Sequence, residues 1–254
     1  LVSSGSWGRR ITMSLALKNV SISLGGRRLV NSVNLDLNPG EVVGLLGPNG
    51  AGKTTTFNLV IGLLRPDAGQ VVMDGRDVET LPMPQRARLG LGYLPQEPSV
   101  FRQLSVRENL DVALEQTVLK RSDRIDRRDE LIEEFQLSAF VDRRGYQLSG
   151  GERRRCEVAR ALAVGTEGPS YLLLDEPFAG VDPLAVADLQ ALIQKLRSRG
   201  MGILITDHNV RETLASTDRS YILTEGSILA SGLSQDVAHD PLVRRYYLGE
   251  AFQL

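Results

Sequence analysis

Cysteine is nearly absent: Cys156 is the only one in 254 residues. One thiol cannot form an internal disulfide, so the reducing cytosol is the natural compartment, and its Arg-rich helical setting marks Cys156 as a small core residue. Long apolar runs are missing too, since none approaches the ~18 residues that read as a membrane span. Any membrane role must therefore borrow its span from another chain. Charge of one sign is also lacking. Lys and Arg number 30 against 31 Asp and Glu, for a net charge of −1. That balance lacks the basic excess of a nucleic-acid binder, and no nucleic-acid partner is expected. The first residues, Leu1 to Thr12, are Ser/Gly-rich without the apolar centre of a signal peptide. Met13 reads as the natural start, and 1–12 as a disordered or added leader set aside from the fold argument. No internal repeat or low-complexity segment is found.

What is present is the patterning of an α/β domain. Hydrophobic content of 42% and charged content of 24% are ordinary for a globular chain, and the length suits one sizeable core. Glu41 to Leu46 (EVVGLL) predicts a short buried strand, followed by a glycine-rich turn and a helix over Thr54 to Leu64. Residues 69–73 (GQVVM) predict a strand turned by Asp74-Gly75, and Leu91 to Leu94 another strand, closed by Pro95. From about 97 to 165 the strand signal gives way to a helical one. In RSDRIDRRDELIEEF, Ile125, Ile132 and Phe135 are apolar points in a charge run that reads as a solvated helix face. The core resumes with the strand Tyr171 to Leu174, a helix over Pro183 to Arg197 and the strand Gly202 to Thr206. A hairpin around Glu225-Gly226 within 221–232 and a short helical tail follow. Strands alternating with helices imply a mostly parallel sheet. The expected division is a core of about 13–96 and 161–235, a helical insertion of about 97–160, and a tail of about 236–254.

The chemistry is concentrated in a few places. Residues 47–55 (Gly47, Pro48, Asn49, Gly50, Ala51, Gly52, Lys53, Thr54, Thr55) fit G-x-x-x-x-G-K-[ST] between a strand and a helix. The glycines let successive N–H groups point at phosphate oxygens, and the helix dipole adds positive potential. Lys53 supplies a cation for the terminal phosphates and Thr54 a hydroxyl for Mg²⁺. Asp175 ends an apolar strand, where a carboxylate can hold Mg²⁺ through water. Glu176 points elsewhere and can act on the attacking water as base. His208, at the end of the next strand, can hydrogen-bond a γ-phosphate. Gln96, after the 91–94 strand, can meet both Mg²⁺ and that water. His239 lies in a polar tail and carries no expectation.

Leu148, Ser149, Gly150, Gly151 and Glu152 (LSGGE) open an Arg-rich helix and form a second anion cradle. It lies roughly a hundred residues from the first. The economical arrangement sets the two cradles against one γ-phosphate from opposite sides, in different chains. Arg153, Arg154 and Arg155 read either as a solvated face or as cation contacts to a partner or phosphate.

Together, and in this order, these motifs resemble the ATP-binding subunits of ABC transporters across residues 13–254. The resemblance assigns Gln96 to the Q-loop, 148–152 to the signature, and Ala179, Gly180, Val181 and Asp182 to the D-loop. It implies a P-loop NTPase (RecA-like) core with a mixed, mostly parallel sheet and an inserted α-helical subdomain. It also implies ATP and Mg²⁺ as ligands and a head-to-tail homodimer. Two transmembrane subunits would be driven by hydrolysis from the cytoplasmic face of the inner membrane, with no direct contact with cargo. Within the family, 92–110, 148–163, 172–183, 205–214 and 246–254 are most similar to the lipopolysaccharide-export ATPases. Branched-chain amino acid importers share the layout and the YLG tail but differ around DEPFAGVDP and TDHNVRETL. A soluble ABC-type ATPase acting on nucleic acid or ribosomes would carry two units or a long coiled coil. The resemblance places Pro98, Phe101 and Leu104 in the groove for a coupling helix, the alternative for Phe101 being packing inside the insertion. It also sets Leu24 where most members stack an aromatic ring on adenine, with Arg27 beside it.

Overall fold

The computed structural model describes residues 13–165, 168–180, 183–249 and 251–252; the leader 1–12 and the D-loop residues Val181 and Asp182 lie outside the described residues. The chain opens with β1 (Leu15–Leu24), β2 (Arg27–Leu37) and β3 (Val42–Leu46), then α1 (Lys53–Ile61). β4 (Ala68–Met73), β5 (Arg76–Asp77), α2 (Met83–Arg88) and β6 (Leu91–Leu94) follow. Next come three helices, α3 (Val106–Leu114), α4 (Arg121–Glu134) and α5 (Gly150–Ala161), before β7 (Tyr171–Asp175) and α6 (Pro183–Ser198). β8 (Gly202–Thr206), α7 (Val210–Ser216), β9 (Arg219–Thr224), β10 (Ser227–Leu233) and α8 (Ser234–His239) complete the order, with two further short turns of helix behind them.

Two sheets organise these elements. The larger runs β10-β9-β3-β8-β7-β6, all parallel except for β10, which returns antiparallel. Its central strands are apolar without interruption because both faces are covered. Alternate residues divide between two cores: Tyr171, Leu173, Val43 and Leu45 join one, Leu172, Leu174, Ile203 and Ile205 the other. The first core also takes Phe57, Leu59 and Ile61 of α1 and the inner residues of a four-stranded antiparallel sheet, β2-β1-β4-β5. α1 therefore lies between the two sheets. The second core is shared with α3, α4, α5 and α6.

The antiparallel sheet is the main element that periodicity did not predict. β1 and β2 pair with register shifts between Leu17 and Val20, Val20 and Ile22, and Ile22 and Ser23, with Asn19 and Ser32 in the left-handed region. Such bulges break the period-two alternation on which a strand is read. The helix predicted to reach Leu64 stops at Ile61, because Gly62 (φ 83°) adopts the left-handed cap and donates to the Asn58 carbonyl. The charge run forms α4, where Ile132 and the following Phe135 are buried but Ile125 stays in solvent.

α1 is closed at its C-terminal end by an unusual device. Arg86 is fully buried and, among the described residues, donates to carbonyl oxygens alone: Leu59 and Val60 at 2.6 Å, Leu81 at 2.8 Å and Glu79 at 3.1 Å. Its cation caps the negative end of the helix, while burial pulls its pKa down to about 10. We expect Arg86→Met to strand several buried carbonyls and lower stability by on the order of 3 kcal/mol, read from a urea midpoint. A midpoint unchanged from the parent would contradict this capping role. Cys156 is buried in the helical core, and burial raises its thiol to about 11, consistent with a core residue.

Candidate nucleotide site

The glycine-rich loop 47–52 connects β3 to α1, and its shape is imposed from outside. Gly47 (φ 152°) lies so close to the Leu223 carbonyl that any side chain would collide, and Gly52 (φ 106°) meets Leu29 in the same way. The β9–β10 turn, Glu225-Gly226, has both residues in the left-handed region, as a type I′ hairpin requires. Its Gly226 N–H donates to the Ala51 carbonyl at 2.9 Å, and its carbonyl accepts from Asn31 N–H at 2.8 Å. The loop is thus held between the two sheets. Leu24 and Arg27 are exposed at the tip of the β1–β2 hairpin, the hairpin that carries Leu29 against Gly52.

No side chain caps the start of α1, whereas Ser105, Ser149 and Asn209 cap α3, α5 and α7. The first N–H groups of α1 are consequently available to an anion. Lys53 is buried and folds back, its Nζ donating to the carbonyls of Gly47 (2.7 Å) and Pro48 (3.0 Å). Burial lowers its pKa, opposed by the nearby charges of Glu176 and Asp175. Thr54 is exposed at the first turn of the helix, with Thr55 half-buried behind it and Asn49 and Gly50 exposed on the loop.

Asp175 and Glu176 diverge for a backbone reason. Asp175 ends β7, buried, with its pKa raised first by that burial. Glu176 takes φ 49° and donates its N–H to the Thr206 carbonyl at 2.7 Å, which swings its side chain to another side. There Gln96 Nε2 donates to Glu176 Oε2 at 2.6 Å, and His208 Nε2 lies 2.6 Å from Oε1. Two residues from distant sequence positions, Gln96 and His208, therefore converge on the Glu176 carboxylate. Asp207, beside His208, clips the two loops together by accepting from Phe178 N–H (2.7 Å) and Asn209 N–H (2.8 Å).

Ser149 and Glu152 of the LSGGE stretch form a capping box: the Ser149 hydroxyl accepts from Glu152 N–H and the Glu152 carboxylate from Ser149 N–H. SVRE, at 105–108, does the same for α3. These two positions thus have a task inside the chain, and so does Leu148, which is buried. Gly150 and Gly151 have none: a side chain added at either would touch nothing within 4 Å among the described residues. They line an open cleft of about 620 Å³ together with Gln96, Glu176, Arg153 and Lys195, and no residue of 47–55 borders it.

The chain as a whole is similar to known proteins. The sequence pattern of the ABC transporter family covers residues 30–179, more than half of the chain. This chain belongs to the ABC transporter family. Among its relatives, the lipopolysaccharide export system ATP-binding protein LptB of Haemophilus influenzae is 54% identical over 241 residues, covering 94% of this chain and 99% of the relative. The Escherichia coli K12 protein of the same name is 52% identical over 242 residues, covering 95% and 99%. The solved ADP form of MJ1267, an ATP-binding cassette of an ABC transporter, superposes with a TM-score of 0.82 at 28% identity, covering 94% of this chain and all of that one. A dimeric post-hydrolysis MJ0796 cassette bound to ADP and phosphate gives 0.74 at 25% identity, covering 87% and 98%.

As a member of this family the chain is a nucleotide-binding ATPase subunit. Among the described residues, no helix is long and apolar enough to cross a membrane. Two contacts around these residues were not singled out from sequence. Tyr93, on β6, donates to Asp175 Oδ2 at 3.3 Å. Glu157, buried on α5, accepts from the N–H groups of Ser99 (2.7 Å) and Val100 (3.3 Å) just past Gln96. Neither belongs to a spacing that a motif search would flag. Arg154 turns inward to Glu157 and the Pro95 carbonyl, Arg155 lies over the Phe140 ring, and Arg160 covers Phe101 at 4.9 Å. The arginine run is therefore mostly internal bracing. Phe101 is nevertheless 47% exposed, Pro98 is exposed and Leu104 half-buried, so these three reach the surface in the segment after Gln96.

Hard oxygen donors on the loop and at the neighbouring strand end suit Mg²⁺: the Thr54 hydroxyl and the Asp175 carboxylate, whose charge acts on Lys53. The Thr206 hydroxyl is buried without a partner on the strand position paired with Asp175, a polar atom suited to an ion's water shell.

Proposed function

We propose that the chain is the ATP-hydrolysing subunit of a lipopolysaccharide-export ABC transporter, working as a homodimer around two ATP molecules. The observation that carries the dimer is the pair Gly150 and Gly151. Glycine destabilises a helix by roughly 0.5–1 kcal/mol relative to alanine, yet among the described residues nothing needs either position to lack a side chain. The bare surface is explained if another chain's nucleotide packs against it. The 47–55 loop would hold the phosphates of one ATP, and residues 148–152 of the second copy would close over them. The dimeric MJ0796 cassette is a fold neighbour that supports this arrangement.

Within each site Lys53 would bind the terminal phosphates, and Glu176 would take a proton from the attacking water. His208 and Gln96 hold that carboxylate in place from either side. Mg²⁺, held by Thr54, Asp175 and Gln96, would neutralise charge on the phosphates. Asp182 is assigned to the D-loop on resemblance alone. Leu24, apolar but without a π-face, would cover the base, with Arg27 beside it.

Lipopolysaccharide as cargo rests on identities of 52–54% to several LptB proteins along nearly the whole chain. On this reading two transmembrane subunits sit over Pro98, Phe101 and Leu104, and the chain lies on the cytoplasmic face of the inner membrane without touching lipid. The test is capture of membrane partners on a tagged chain, with ATP-dependent release of lipopolysaccharide from proteoliposomes holding the captured complex. We expect two transmembrane subunits and such release. Phe101→Ser should lose the partners while the isolated subunit keeps its ATPase rate. Capture of a subunit pair that moves amino acids instead would overturn the cargo.

A further inference from the structure

Tyr93, Asp175 and Thr206 stand on three adjacent strands, β6, β7 and β8, and on one face of the sheet. Leu91, Leu173 and Leu204, each two residues earlier on its strand and so on the same face, all belong to the core packed around α1. Asp175 is directly opposite Thr206, while Tyr93 is opposite Leu173, two residues short of Asp175. That diagonal is within reach of an aromatic side chain, and the Tyr93 hydroxyl spans it to donate to Asp175 Oδ2 at 3.3 Å. The Thr206 hydroxyl on the other side is buried and unpartnered.

A carboxylate on the last residue of a strand can turn about its side-chain bonds. A donor fixed to the neighbouring strand removes that freedom by occupying one oxygen. The ring of Tyr93 packs on the core around α1, so its hydroxyl is set by packing and does not itself drift.

We infer that Tyr93 is a positioning residue: its hydroxyl holds Oδ2 of Asp175 so that Oδ1 faces the phosphate loop and the ion's water shell. It touches neither nucleotide nor metal and acts only through Asp175. The inference rests on the reading of Asp175 as the Mg²⁺ carboxylate.

The conservative variant is Tyr93→Phe, which keeps the packed ring and removes only the hydroxyl. Outer-shell partners of metal ligands typically contribute ~10-fold or more to metal affinity. The probe is Mn²⁺, titrated by electron paramagnetic resonance into chain saturated with a non-hydrolysable ATP analogue. In parallel, ATP affinity is measured in EDTA. We expect Tyr93→Phe to weaken Mn²⁺ binding about tenfold and to leave metal-free ATP affinity unchanged. Unchanged Mn²⁺ affinity would overturn the role of Tyr93, as would an equal loss of metal-free ATP binding, which would mean general damage to the site. Asp175→Asn separates the two levels. If it retains parental Mn²⁺ affinity, the Asp175 reading itself fails. If it loses Mn²⁺ while Tyr93→Phe does not, only the inference about Tyr93 falls.

Discussion

Glu176→Gln is expected to reduce ATP hydrolysis by about 10² to 10⁴-fold, the usual contribution of a positioned general base. It should still bind ATP. A hydrogen bond from Gln96 and the approach of His208 Nε2, both at 2.6 Å, converge on this carboxylate, so its charge and position are both committed to one place. Glutamine has nearly the same shape but is neutral and has one acceptor oxygen in place of two. With ATP and Mg²⁺ the variant should run at twice the monomer mass in size exclusion with light scattering, because ATP bound between the copies is not turned over. The parent chain should hydrolyse ATP and show little such dimer at steady state. A variant retaining more than a tenth of the parental rate would remove Glu176 from the chemistry. One that binds ATP and stays monomeric would mean that closure needs the membrane subunits.

Gly151→Ala in the Glu176→Gln background should move two quantities in opposite directions. The methyl group meets nothing within 4 Å among the described residues of its own chain, and alanine favours a helix by roughly 0.5–1 kcal/mol over glycine. The monomer should therefore gain that much stability in urea. Dimer formation with ATP should fall steeply, since a methyl group pressed into a packed contact costs ~1–3 kcal/mol, or roughly 5- to 150-fold in association. Gly47→Ala gives the contrast. Its side chain would strike the Leu223 carbonyl, so destabilisation of the monomer is expected. If Gly151→Ala left the ATP-driven dimer intact, the LSGGE stretch would have to serve something other than the facing nucleotide.

Much of this site is written in local sequence. The phosphate loop and the strand ends bearing Asp175 and His208 are visible because each is a contiguous pattern whose conformation follows from its own residues. Glycines turn, uninterrupted apolar runs make buried strands, and a polar residue after such a run lies at a sheet edge. The mostly parallel sheet follows from the same alternation. The LSGGE stretch was also legible, although its Ser149 and Glu152 proved to be a helix cap.

Other features depend on contacts between remote segments. The bulged β1–β2 hairpin has no clean period to read, and it is pairing with β4 that defines it. Arg86 looks like one of many surface arginines until the carbonyls of α1 surround it. Tyr93 meets Asp175 only because β6 lies beside β7 in a particular register. Sequence determined the chemistry through short-range conformational preference. Tertiary structure decided which side chains hold that chemistry in place, because burial and cross-strand register bring together residues whose separation along the chain carries no signal.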